Sequence, residues 1–189
     1  MLAAGASRRM GGSTNKLLLE IEGEPMVRGA VRRAVAAGLD PVMVVTGCEA
    51  ERVEGALVGL PCSFVRSPDP MGPMSASLHA GLRALDDAVL AAVIVLGDMV
   101  HVTPAMMGVL AAAVRRGEAR LAVSRYGPEL ALAPPVGFGR ELWPELLACT
   151  GDGCGRTVAA AHLDEAVTFD WPATALHDVD TRADYDALR

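Results

Sequence analysis

Two stretches of this chain are apolar almost from end to end, and each stops at a glycine. One is Pro41-Val42-Met43-Val44-Val45-Thr46-Gly47 and the other is Ala91-Ala92-Val93-Ile94-Val95-Leu96-Gly97. A strand with one face in water alternates apolar and polar residues, whereas a continuous run marks a strand covered on both faces, as in parallel sheets. Arg120-Leu121-Ala122-Val123-Ser124 reads as a third strand and Cys62-Ser63-Phe64-Val65 as a weaker fourth. Between them, Met26, Val27, Ala30, Val31, Ala34 and Val35 recur at helical spacing, with Arg28, Arg32 and Arg33 on the other side. Leu78, Leu82 and Leu85 repeat in the same way, as do Met106, Leu110 and Val114. The alternation predicts an α/β, Rossmann-like three-layer fold: a mostly parallel central sheet with helices on both faces. No repeat, low-complexity tract or Pro/Ser-rich linker divides the chain, so residues 1–189 read as one domain. Pro134-Pro135 with Gly137 and Gly139 reads as an irregular segment, and residues 152–179 show weaker periodicity.

Composition narrows the function. Hydrophobic residues make up 51% of the chain, enough for a sizeable core, while aromatics are only 4%, too few for base-stacking platforms. The net charge of -6 disfavours bulk attraction to nucleic acid or an anionic membrane surface. No apolar run is long enough to span a bilayer, and Arg8 and Arg9 interrupt the start before a secretory core can form. Cys48, Cys62, Cys149 and Cys154 lack C-x-x-C or zinc-finger spacing and read as reduced thiols, pointing to a cytoplasmic protein. The four histidines are scattered and read as structural or exposed. Anion binding must therefore come from a local cluster.

That cluster is Leu2-Ala3-Ala4-Gly5-Ala6-Ser7-Arg8-Arg9-Met10-Gly11, followed by Lys16. Glycine turns let backbone N–H groups converge on phosphate oxygens, and Arg and Lys add charge against a polyphosphate. The run is neither a P-loop nor a dinucleotide fingerprint, since both spacings are absent. In open α/β sheets ligands sit beyond the carboxyl ends of the strands, and further polar clusters fall there. Asp98 follows the strand ending at Gly97; it is either a ligand for Mg²⁺, which prefers oxygen donors, or a cap for the next turn. Asp178 and Asp180 alternate in an extended stretch and so share one side; they are either metal ligands or surface acids before a helix that Thr181 caps. Ser75 and Ser77 are candidate N-terminal caps for the helix through Leu78, where free N–H groups favour anions.

In order, these motifs resemble the molybdopterin nucleotidyltransferases, most closely the molybdenum cofactor cytidylyltransferase branch, whose loop reads L-A-A-G-x-S-x-R-M-G followed by Lys. Leu96-Gly97-Asp98-Met99 resembles its L-G-D-M motif, and Asp178-Val179-Asp180-Thr181 its D-I-D-T. Pro68, Gly72, Met74, Ser75, Ser77 and Leu78 match its N-P-x-x-x-x-G-M-S-S-S-L, and Gly151, Asp152 and Arg156 its G-D-x-G-A-R. The resemblance implies that Leu2, Ala3, Ala4, Gly5, Ser7, Arg9 and Lys16 wrap a nucleoside triphosphate, with Pro68, Gly72, Ser75 and Ser77 at base and ribose. Arg9, Lys16 and Asp98 would be catalytic; Asp98 and Asp180, supported by Asp178, would hold Mg²⁺; Asp152 and Arg156 would meet the acceptor. The implied reaction transfers CMP from CTP to the phosphate of molybdopterin and releases pyrophosphate. CTP is favoured because Ala4 stands where the guanylyl branch has glycine, and its methyl would narrow the base pocket. Alternatives are a transferase for another small phosphate, such as a sugar phosphate, or a catalytically weak homologue that serves a molybdenum hydroxylase client as an assembly partner.

The chain also departs from that pattern. Ser67, Val100 and Arg182 replace an Asn and two prolines, Cys154 replaces a glycine, and the segment between Gly11 and Lys16 is longer. Leu132-Ala133-Pro134-Pro135-Val136 stands where the family carries G-x-x-G-H-P. The apolar stretch that precedes L-A-A-G in the family is reduced to Met1, so either the start lies upstream or Met1 and Leu2 supply a stub of the central strand.

Overall fold

The computed structural model describes residues 1–5, 7, 15–117, 119–179 and 181–188. After β1 (Leu2–Ala3), a hairpin of β2 (Glu20–Ile21) and β3 (Glu24–Pro25) leads into α1 (Met26–Ala36). There follow β4 (Met43–Thr46), α2 (Ala50–Ala56), β5 (Ser63–Arg66), α3 (Met74–Arg83), β6 (Ala91–Ile94) and α4 (Pro104–Arg115). The chain continues through β7 (Leu121–Tyr126), β8 (Ala131–Gly139), α5 (Trp143–Ala148), α6 (Cys154–Ala161), β9 (Val167–Trp171) and α7 (Arg182–Asp186).

β1 is short, yet it joins the two halves of the sheet. Leu2 pairs in parallel with Val45 of β4 on one side and with Leu96, just past β6, on the other. The Leu2 N–H donates to Val95 O at 2.8 Å and the Gly97 N–H to Leu2 O at 3.0 Å. The strand order is β5-β4-β1-β6-β8-β7-β9, with β8 antiparallel to both neighbours. Leu2 and Ala3 thus supply a short central strand. The Met1 ammonium donates to Met43 O at 2.7 Å, and burial pulls its pKa down to about 5. Below it, an apolar cavity of about 450 Å³ opens between β4 and β6.

The expected helices form for the expected reason. Met26, Val27, Ala30, Val31 and Ala34 of α1 are buried, each at most 3% exposed. The helix stops at Gly38, whose φ of +74° takes the left-handed position. There the Gly38 N–H returns to Val35 O and the Leu39 N–H to Ala34 O, satisfying carbonyls that a helix end leaves open. α4 starts at Thr103, whose hydroxyl accepts the Met106 N–H, with Pro104 in the first turn, where its missing donor costs nothing. α1, α2 and α4 bury one face of the sheet around Val31, Val44, Val53 and Met107. α3, α5 and α6 bury the other around Leu78, Phe138, Leu146 and Val158. Among the described residues no helix is long and apolar enough to cross a membrane.

The segment read as irregular is instead strand β8. Val123 pairs with Val136 but Ser124 with Ala133, so Pro134 and Pro135 form a bulge. Proline, which has no N–H to give a ladder, is tolerated there. Side chains replace the lost ladder: Ser124 Oγ donates to Pro135 O at 2.8 Å and Tyr126 Oη to Pro134 O at 2.7 Å.

Candidate active site

Beyond the carboxyl ends of β1 and β6 lies a cavity of about 380 Å³. Ala3, Ala4, Gly5 and Ser7 line it from the first loop, Lys16 from the turn that follows, and Asp98 from the loop after β6. Glycine is required at one neighbouring point and makes room at another. A Cβ on Gly47 would stand 2.6 Å from Ala4 O and 2.8 Å from Ala4 Cβ, so the first loop packs directly on the backbone after β4. A Cβ on Gly97 would press on Leu17 Cδ2 at 3.2 Å, where the sheet runs into Asp98.

Lys16 is aimed by its neighbours. Its N–H donates to Ser7 Oγ at 3.0 Å. Asn15, only 4% exposed, caps the short turn Lys16–Leu18 by accepting the Leu17 N–H at 3.1 Å, and its amide donates to Cys48 O at 3.4 Å. Lys16 Nζ then reaches Asp98 Oδ2 at 2.7 Å, with both side chains about one-sixth exposed or less. The other carboxylate oxygen, Asp98 Oδ1, is buried and has no hydrogen-bond partner. An ionised oxygen buried without a donor is costly, and it is a hard donor of the kind a divalent cation takes. Asp178 lines the same cavity, and the Val179 N–H donates to Asp98 O at 3.4 Å, tying the C-terminal segment to the end of β6. Among the described residues, the lining brings the carboxylates of Asp98, Asp152 and Asp178 together with the ammonium of Lys16. That excess of negative charge suits a cation accompanied by phosphates. Arg9 and Asp180 lie outside the described residues.

The loop before α3 differs from expectation. Ser75 and Ser77 do not cap the helix; Pro73 is the N-cap residue and carries no capping side chain. The cap comes instead from Asp152, whose carboxylate accepts the Met74 N–H at 2.8 Å, while the Ser75 N–H donates to Gly151 O at 3.3 Å. These N–H groups are therefore satisfied within the chain. Ser77 Oγ donates to Ser67 Oγ at 3.1 Å in a buried pair, and Ser75 Oγ accepts the Gly151 N–H at 3.1 Å. Gly72 and Ser77 line the main cavity; Pro68 is exposed and does not. Thr181 does cap α7, accepting the Asp184 N–H at 3.2 Å.

A second chamber of about 230 Å³ adjoins the first and shares Leu2, Met74, Leu96 and Asp152 with it. Ser75 and Arg156 line this chamber, so Asp152 stands where the two spaces meet. Cys154 also faces it; burial pushes its thiol up to about 12, which keeps it protonated at neutral pH. His79 bonds the carbonyls of Leu146 and Cys149 and ties α3 to α5, a structural role.

Sequence reasoning missed Asn15, Met71 and the β8 wall. For Asn15 the signal was present, since an Asn directly before a helical turn is a strong N-cap. Met71 lies in the cavity wall with no chemical signature to mark it.

A mostly parallel sheet with a glycine-bearing first loop, an aimed lysine and an unpartnered carboxylate oxygen at its carboxyl edge makes an α/β domain with a polar crevice. The comparisons agree. The chain matches the family model described as the MobA-like NTP transferase domain over residues 1–166, and it belongs to that family; it is a nucleotidyltransferase domain. It is 34% identical over 146 residues to the bifunctional protein GlmU of Anaeromyxobacter dehalogenans, covering 74% of this chain and 28% of that protein. The chain thus spans little more than a quarter of the length of the curated relatives it matches. Among solved structures it is similar to Rv0371c from Mycobacterium tuberculosis H37Rv, with TM-score 0.84 and 26% identity over 99% of this chain and 94% of the other. It is also similar to a nucleotidyl transferase from Methanothermobacter thermautotroptrophicus (Mth528), with TM-score 0.82 and 26% identity over 100% and 93%.

Proposed function

We propose that this domain works in the cytoplasm and transfers CMP from CTP to the phosphate of molybdopterin, with release of pyrophosphate. The observation that carries the reading is the Lys16–Asp98 pair at 2.7 Å, with Asp98 Oδ1 buried and unpartnered, beside the L-A-A-G loop. An oxygen of the acceptor's phosphate monoester attacks the α-phosphorus. The new P–O bond forms as the bond to the β-phosphate bridging oxygen breaks, and pyrophosphate leaves with that electron pair. The acceptor is already an anionic nucleophile, so no covalent intermediate on the protein is needed, and catalysis consists of positioning and charge neutralisation. Ser7 and Asn15 hold Lys16 where its ammonium meets the phosphates. Arg9 serves the same end from the first loop.

Asp98 fits a divalent cation because its buried oxygen lacks any other partner; with Asp178 and Asp180 it would hold Mg²⁺. When bound, the ion neutralises and orients phosphate oxygens. Until then Lys16 balances the Asp98 charge. Ala4 lines the cavity, and a methyl where the guanylyl branch carries glycine supports CTP over GTP.

The reading predicts that nucleotide and Mg²⁺ stabilise the fold together. At 100 times its dissociation constant, CTP with Mg²⁺ adds about 2.7 kcal/mol. Thermal melts with CTP, GTP and ATP, each with and without Mg²⁺, test this. A shift that is largest for CTP and needs Mg²⁺ is expected; no shift with any nucleotide contradicts the reading.

A further inference from the structure

Two of the four thiols stand together. Cys149 closes α5 and Cys154 opens α6, with Thr150-Gly151-Asp152-Gly153 between them. Each sulfur lies on the other's backbone: Cys154 Sγ donates to Cys149 O at 3.4 Å, and Cys149 Sγ to Cys154 O at 3.8 Å. The two thiols are also within hydrogen-bond reach of each other. The remaining cysteines have other neighbours. Cys48 Sγ meets the thioether of Met71 at 3.6 Å, and Cys62 packs against the core around Val44 and Val53.

The surroundings suit an S–S bond. Its formation removes both S–H donors, and a buried carbonyl left without a donor is costly. Leu146 O and Cys149 O take the Cys154 thiol at 3.3 and 3.4 Å, but His79 Nε2 lies 2.9 and 3.1 Å from the same two oxygens. With its proton on Nε2, the imidazole keeps both oxygens satisfied once the thiols are gone. Access divides the pair: Cys149 is half-buried, whereas Cys154 is 2% exposed. An oxidant therefore meets Cys149 first.

The loop between the cysteines is stitched to α3. Asp152 accepts the Met74 N–H at 2.8 Å, Gly151 O accepts the Ser75 N–H at 3.3 Å, and the Gly151 N–H donates to Ser75 Oγ at 3.1 Å. Asp152 and Met74 both line the main cavity. A disulfide holds its sulfurs about 2.05 Å apart, well inside the contact distance of two free thiols, so closure moves the ends of this loop toward each other.

We propose that Cys149 and Cys154 are a reversible oxidation site, at which a peroxide forms a disulfide that draws the loop in and pulls Asp152 away from the start of α3. The Cys149 thiolate attacks one peroxide oxygen; the S–O bond forms, the O–O bond breaks and hydroxide leaves. The Cys154 sulfur then attacks the Cys149 sulfenic acid. The S–S bond forms as the S–O bond breaks, and the Cys154 proton departs with the hydroxyl as water. The two thiols lose two electrons, and the peroxide is reduced to two waters.

The test uses the whole chain and no nucleotide, so its outcome is independent of the nucleotidyltransfer reading. The protein is treated with hydrogen peroxide, its remaining thiols are blocked with iodoacetamide, and it is cut with trypsin. Both cysteines fall in the single peptide 141–156, between Arg140 and Arg156. That peptide is expected without alkyl groups and about 2 Da lighter than its reduced form, with Cys48 and Cys62 still alkylated. Dithiothreitol added before blocking should restore alkylation of both Cys149 and Cys154. Amide exchange at Met74 and Ser75, followed by NMR, should quicken at least about threefold on oxidation, as when a helix cap is lost, while α1 keeps its rates. In Cys154→Ser the bond cannot close: dimedone should trap Cys149 as the sulfenic acid, and exchange at Met74 should ignore peroxide. In Cys149→Ser, changed at the half-buried position, Cys154 should stay reduced. Full alkylation of the peptide after peroxide, pairing of either cysteine with Cys48 or Cys62, a product that dithiothreitol does not reverse, or a closed disulfide with unchanged exchange at Met74 and Ser75 overturns the proposal.

Discussion

Lys16 and Asp98 come from loops eighty-two residues apart and meet because β1 and β6 are neighbours in the sheet. The carboxylate does little for the apo fold: one oxygen balances the lysine and the other is buried without a partner. Asp98→Ala is therefore expected to change apo stability by no more than about 1 kcal/mol, since it removes a costly buried oxygen along with the ion pair. Transfer should fall by at least about a hundredfold, the scale of losing one preorganised charge-stabilising group. Melts and turnover of the same preparation check both; near-normal turnover would make Asp98 a structural residue. Asn15 acts at one remove. Its loss in Asn15→Ala should cost about 1 kcal/mol as a helix cap, and should raise KM for the nucleotide severalfold by freeing Lys16. Asn15→Ser restores the cap and should recover most of the stability. An unchanged KM in Asn15→Ala would show that Lys16 needs no such support. At this scale, residues with chemical character were legible in the sequence: Lys16, Asp98 and Asp178 converge on one cavity. The serines of α3 were legible only as residue types. Their assigned role as caps passed to Asp152, far along the chain, through a contact that local pattern cannot disclose.

Among the elements, the strands and helices with strong periodicity stand where the sequence places them, and β8 does not. Pro-Pro and paired glycines signal a loop locally, but the bulge and two side-chain hydroxyls let the segment run as a central strand. Tertiary hydrogen bonding overrode local preference there. β1 illustrates the reverse. The sequence offers only Met1 and Leu2 there, yet Leu2 is bonded by both flanking strands. Its exposed cost is the buried Met1 amine. Unfolded, that group titrates near 8.0; folded, near 5. Between those values the unfolded chain holds a proton that the folded chain does not. Stability therefore rises with pH, by up to about 1.4 kcal/mol per unit. The loss is complete below about pH 5 and absent above about pH 8. Urea unfolding from pH 5 to 8.5 should show that slope, and the same chain acetylated at Met1 should lack it, since an amide cannot charge. Carboxylates and histidines contribute equally to both chains, so the difference isolates the amine. Equal slopes would mean that the ammonium is solvated.

The whole molecule assembles its site at a carboxyl edge of the sheet, where α/β architecture leaves backbone groups and loop side chains facing one crevice. That placement follows from the strand–helix alternation, which is why the general location is legible in the sequence. What the sequence could not show is that the crevice has two rooms of opposite chemistry, one with carboxylates and an ammonium and one walled by aliphatic residues. The second arises from residues of six separate elements that only the folded chain brings together. Group transfer from CTP is tested most directly by following the phosphorus atoms. CTP labelled at the α-phosphate is incubated with the chain, Mg²⁺ and molybdopterin, and the products are separated. Label is expected in a molybdopterin–CMP conjugate, with an equal amount of unlabelled pyrophosphate, and neither with Asp98→Ala. Label remaining in CTP, or appearing as free CMP without conjugate, would contradict it.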